Sequence, residues 1–123
     1  MLIRAVFSAG LLAAGAAASA QPVATVPITV TSFHIAPGAI HLVAGRPVRL
    51  VFTNASGAGH DFTAPAFFAR ASGVAGPVDH GEVELGGHQS ATITLTPARG
   101  TYKAKCSHFG HKLLGMSATI VVD

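Results

Sequence analysis

The feature that most limits what this chain can fold into is the shortness of its apolar runs. From Val23 onward, stretches rich in Val, Ile, Thr and Phe are punctuated by Pro and Gly at intervals typical of sandwiches and barrels. Alternation is clearest over residues 91–96, where Ile93 and Leu95 are expected to face a core and Thr92, Thr94 and Thr96 to face outward, as in a half-buried antiparallel strand. The pattern predicts an all-β domain of about eight strands, near 28–35, 39–43, 47–54, 60–63, 82–85, 90–96, 100–106 and 115–122. One stretch breaks the rhythm. At 65–76, Pro65 suits the first position of a helix, and Phe67, Phe68, Ala69 and Ala71 could form one or two helical turns; an irregular loop is the alternative.

The 123 residues, half of them apolar, suffice for one compact domain. The first twenty read as a cleavable signal peptide. Arg4 is the positive region, 5–17 the uncharged core, and Ala18, Ser19 and Ala20 the small-residue cleavage site, so the domain is expected to occupy 21–123. The apolar part of this segment is shorter than the ~20 residues needed to span a bilayer and is diluted by Gly, Ser and Ala, which argues for export rather than anchoring. No later stretch is long and apolar enough to span, so stable membrane insertion is not expected.

Of the eight Lys and Arg, loss of Arg4 leaves seven against five Asp and Glu. That bias is too weak and too scattered to argue for nucleic acid, and Tyr102 is the only tyrosine, so there is no aromatic platform for stacked bases either.

A single cysteine, Cys106, is present in a chain read as exported, where thiols usually pair. It can be an inert buried thiol, half of an intermolecular disulfide, or a thiolate held by a metal or used as a nucleophile. Its surroundings favour the metal. Within eleven residues stand Cys106, His108, His111 and Met116, placing one thiolate, two imidazoles and one thioether together. A trigonal group of two imidazoles and a thiolate, with a weak axial thioether, is the donor set of a blue-copper electron-transfer site. The second imidazole has to come from elsewhere. The best candidate is His60, in the loop that follows the strand ending at Asn54, which a β-sandwich can bring beside the 106–116 loop. A catalytic Cys-His pair lacks an orienting third group and leaves Met116 unexplained. Zinc would normally avoid a thioether. His34, His41, His80 and His88 have no partner at diagnostic spacing and read as exposed or hydrogen-bonded.

At these residues the sequence resembles the cupredoxin family of type 1 copper proteins. The resemblance runs over almost the whole of 21–123: Pro37, Gly45 and Asn54, then Gly59 and His60, then Gly100, Thr101 and Tyr102, then Cys106, Gly110, His111, Gly115 and Met116, and Ile120, Val121 and Val122 at the end. It implies a Greek-key β-sandwich in two sheets holding one copper ion. His60, Cys106 and His111 would be equatorial ligands, Met116 axial, and Gly59 a weak contact, with electron exit through His111. The five-residue steps from Cys106 to His111 and from His111 to Met116 resemble the longer ligand loops of the rusticyanin and auracyanin type. Three positions depart from the pattern: Asp61 stands where several members carry Asn, Phe109 where Pro often stands, and His108 adds an imidazole beside the site.

The function so implied is that of an exported, periplasmic one-electron carrier cycling Cu(I) and Cu(II), acting as a monomer and docking transiently with redox partner proteins near His111, Lys112, Leu113 and Leu114. Copper sequestration or delivery is the alternative. An enzymatic role is not expected, because related enzymes need further copper sites and the chain has no His-x-His pair.

Overall fold

The structure, a computed structural model, describes residues 22–108 and 116–123, together with Gly10 and Gly15. These residues form ten strands and one short helix: β1 (Ala24–Thr31), β2 (His34–Ala36), β3 (Ala39–Leu42), β4 (Val48–Asn54), β5 (His60–Thr63), α1 (Pro65–Arg70), β6 (Ser72–Ala75), β7 (Glu82–Leu85), β8 (Ser90–Thr96), β9 (Gly100–Lys105) and β10 (Ser117–Val122). They build two five-stranded sheets, ordered β2-β1-β4-β8-β6 and β3-β10-β9-β5-β7. Both sheets are mixed, since β1 pairs with β4 and β3 with β10 in parallel while the other neighbours are antiparallel. The chain passes repeatedly from one sheet to the other, as a Greek-key sandwich requires.

Alternation in the sequence becomes the interior. Ile28 and Val30 of β1, Leu50 and Phe52 of β4, and Ile93 and Leu95 of β8 point from one sheet into the core. Ile40, Phe62, Val83, Leu85, Tyr102, Ala104, Ile120 and Val122 meet them from the other. Phe52 and Phe62 join the two sheets with ring centroids 4.8 Å apart, within the range where tilted aromatic pairs attract. The Tyr102 hydroxyl, at the rim of the core, donates to the Ala98 carbonyl at 2.8 Å and so keeps its polar end satisfied.

Ten strands stand where about eight were expected, for two local reasons. The expected strand over 28–35 begins four residues earlier and folds back on itself as the β1–β2 hairpin, turning at Phe33 with a φ of 69°. Pro27 is tolerated inside β1 because β2 covers only Thr29 to Thr31, so at Pro27 the strand has a partner on one side alone. The segment expected as helix or loop is both helix and strand. Pro65 is the first helical residue and Phe67 and Phe68 are the buried face of α1. The chain then adds β6 to the edge of a sheet through an irregular register against β8. All four β6 residues are exposed, so no inward alternation marks them in the sequence.

At one end of the sandwich lie the last residues of β1, β4, β7 and β9 and the first of β2, β5, β8 and β10. His60, Cys106 and Met116 lie there.

Candidate metal centre

His60 opens β5, and its period-two alternation with Phe62 turns its ring toward the interior, where it is fully buried. Its position depends on the loop before it. Asn54, at the end of β4, is also buried, and its side-chain amide donates to the carbonyls of Ala58, Leu85 and Gly86 at 2.8, 3.1 and 3.0 Å. Its Oδ1 accepts from the Ser56 backbone N–H and hydroxyl at 3.0 and 2.8 Å. One side chain thus ties the loop leading to His60 both to itself and to the end of β7. Gly87 completes the join: a Cβ there would run into the Gly57 carbonyl, so only glycine lets the two loops approach.

Cys106 follows β9 and Met116 precedes β10. The two are joined by a bond from the Cys106 N–H to the Met116 carbonyl at 3.0 Å, and both side chains are fully buried. The Cys106 sulfur lies 4.0 Å from His60 Nδ1. First-row metal bonds of about 2.0 Å to nitrogen and 2.3 Å to sulfur, set at a trigonal angle, place two such donors about 3.7 Å apart. The observed separation therefore suits two ligands of one ion. The set is chemically suited too: a thiol, an imidazole and a thioether are soft to intermediate donors that favour copper over hard cations.

Burial pushes the Cys106 thiol above its ordinary range. Backbone N–H groups of Asp61 and His108 oppose this by donating to the sulfur, and the charges of Asp61 and Glu84 add to the upward push. A metal that takes the thiolate removes the main cause by replacing the proton.

His108 is turned away from this pair of donors. Its Nε2 is 3.0 Å from Glu84 Oε1 and 3.5 Å from Asp61 Oδ2, and its ring centroid is 6.3 Å from that of His60. A Cβ on Gly59 would come within 3.5 Å of His108 Cε1, so this glycine borders the His108 ring. Asp61 accepts from the Ser107 N–H and hydroxyl at 2.8 and 2.5 Å and from the Thr63 hydroxyl at 2.8 Å. It thereby joins the residue after His60 to the residue after Cys106.

The structure brings His60, Cys106 and Met116 to one end of the core. The expected ligand His111 lies outside the described residues, as do Phe109, Lys112, Leu113 and Leu114. His34, His41, His80 and His88 are exposed, as expected; His80 pairs with Asp79 at 2.7 Å on the surface. Three supporting residues carried no assigned role in the sequence reading: Ser107, Glu84, and Asn54 as the lock of the His60 loop. The spacing Asn54-x-Ser56 is itself the signal of an Asx turn and could have marked the last.

Two mixed sheets closed on one core, with imidazole, thiol and thioether side chains buried at one end, define a β-sandwich with a candidate metal centre. The chain belongs to the cupredoxin-like family: the cupredoxin-like domain model matches residues 2–122. A comparison with curated proteins gives no match. Among solved structures it is similar to auracyanin B, at 25% identity and a TM-score of 0.61, covering 85% of this chain and 91% of that one. It is also similar to reduced auracyanin from the photosynthetic bacterium Roseiflexus castenholzii, at 23% identity and a TM-score of 0.63, covering 84% and 99%. Auracyanin A, described as a "blue" copper protein of the green thermophilic photosynthetic bacterium Chloroflexus aurantiacus, matches at 21% identity and a TM-score of 0.56, covering 80% and 99%. At identities under 25%, the last two bear on the fold alone. Among the described residues no helix is long and apolar enough to cross a membrane.

Proposed function

We propose that this protein is an exported one-electron carrier that holds a single copper ion through His60, Cys106, His111 and Met116, with Gly59 as a weak fifth contact. The observation that carries the reading is the buried pair of His60 Nδ1 and Cys106 Sγ, 4.0 Å apart, with Met116, whose carbonyl accepts the Cys106 N–H, also buried. Copper bound there supplies a one-electron couple between Cu(I) and Cu(II). The protein's contribution is rigidity. Asn54 locks the loop that presents His60, Asp61 ties that strand to the segment after Cys106, and the Cys106–Met116 backbone bond closes the base of the last loop. Ligands fixed by the fold rather than by the metal change little between the two oxidation states, so little reorganisation accompanies transfer.

The segment 1–20 acts as a cleavable signal peptide that delivers 21–123 to the periplasm, where a lone thiolate is protected by its metal. Transfer occurs during brief docking of a redox partner at His111, Lys112, Leu113 and Leu114, a mostly apolar stretch of sequence with one positive charge, and the carrier works as a monomer without catalysing a reaction of its own.

The test is optical and EPR spectroscopy of the copper-loaded 21–123 protein. It should be intensely coloured by a Cys106-to-copper charge-transfer band, and Cys106→Ala should be colourless. A reconstituted wild type without that band refutes the assignment.

A further inference from the structure

Asp61 does more than the copper reading requires. It follows His60 directly, and its carboxylate is fully buried. Oδ1 receives the Ser107 N–H at 2.8 Å and the Thr63 hydroxyl at 2.8 Å, and Oδ2 receives the Ser107 hydroxyl at 2.5 Å. Ser107 in turn follows Cys106 directly. One side chain therefore spans 46 positions of sequence to join the neighbours of two candidate ligands. A neutral amide could do the same work. A carboxylate in that place adds a charge that water does not reach, and among the described residues its one ion-pair contact is His108 Nε2, at 3.5 Å.

We infer that Asp61 is a positioning residue whose buried charge also holds down the reduction potential of the copper. The inference rests on the copper reading above. Its sign follows from charge alone: Cu(II) carries one more positive charge than Cu(I), so a fixed negative charge nearby favours the oxidised ion. Its strength follows from burial. Exposed charges are screened by water and salt within a Debye length of about 8 Å at physiological ionic strength, whereas a buried one is screened much less. Glu84 is the internal control. Its carboxylate is part of the same cluster, 3.0 Å from His108, but its side chain is 60% exposed, so its effect on the copper should be weak.

The experiment is spectroelectrochemical titration of the copper-loaded chain, with the absorption spectrum recorded for each variant. Asp61→Asn should retain the charge-transfer band. Its Oδ1 can still accept from Ser107 N–H and Thr63, and its amide can donate to the Ser107 hydroxyl. Its Cu(II)/Cu(I) equilibrium should move at least tenfold toward Cu(I), a rise of about 59 mV or more for a one-electron couple. Glu84→Gln should move it less than threefold. Ser107→Ala, which weakens the tie and keeps the charge, should not raise the potential. An Asp61→Asn protein with its band intact and its equilibrium shifted less than twofold overturns the inference. So does a rise in Ser107→Ala equal to that in Asp61→Asn, which would assign the effect to the tie. If Asp61→Asn does not hold copper, Asp61→Ser, whose hydroxyl can accept the Ser107 N–H, is read by the same criteria. Absence of the band in the wild type refutes the copper reading instead, and so separates the two failures.

Discussion

Removing the side chain of Asn54 tests whether one residue holds the loop that presents His60. Asn54→Ala deletes five hydrogen-bond contacts at once: three in which its two amide N–H groups are shared among the carbonyls of Ala58, Leu85 and Gly86, and two accepted from Ser56. They are not equal. The bond to the Leu85 carbonyl is buried, and an acceptor left there without a partner costs about 1–3 kcal/mol. The other four are only part-buried, so water can replace them and each falls near the bottom of the usual range of about 0.5–1.5 kcal/mol. Shared partners make the losses less than additive, which puts the total near 3 kcal/mol. For a domain of this size that is a fall in Tm of about 12–20 °C. Urea unfolding of the metal-free protein, followed by circular dichroism, measures it directly. Asn54→Asp sharpens the test by turning a second oxygen toward three carbonyl oxygens, and it should be at least as damaging as Ala at neutral pH. A loss below about 1 kcal/mol for Asn54→Ala would refute the argument that this side chain is the lock.

Two further outcomes follow from the core and from Cys106. Phe62→Ala, which empties a buried site between the rings of Phe52 and Phe68, should cost about 3–5 kcal/mol in urea unfolding, while Phe62→Leu, which keeps most of the volume, should cost under about 1.5 kcal/mol. Because burial raises the Cys106 thiol in the folded metal-free chain, the folded state binds that proton more tightly than the unfolded state. The resulting stability is complete below the unfolded thiol range, about pH 8.5, and is lost as pH climbs through the raised folded value. Metal-free wild type should therefore lose stability more steeply than Cys106→Ala above about pH 8.5; parallel curves would contradict a raised thiol.

Much of the fold was legible because alternation is a local signal. Ile93 and Leu95 are inward and fully or nearly buried, as their spacing from the threonines required, and Pro65 begins the one helix among the described residues. What escaped reading had no such signal. β6 is exposed throughout, and the hairpin at Phe33 depends on a positive φ at a residue type that seldom adopts one. Similarly, Cys106 and Met116 announced themselves by chemistry in one short segment, whereas His60 became a credible ligand only by supposing that a sandwich would carry it there.

By itself the sequence determined the class of the domain, the soft donor set near the C-terminus and the candidate copper chemistry, because each is written in residues close together along the chain. Only the tertiary structure decided that His60 Nδ1 and Cys106 Sγ come within 4.0 Å, that His108 turns to Glu84 and Asp61 instead of joining them, and that Asp61 is a fully buried clamp. Those facts depend on β5 and β9 pairing in one register, with Thr63 opposite Lys105. A shift by one residue would reverse every side chain on β5 and send His60 out to water, so the choice is made by the whole core and not by any segment within it.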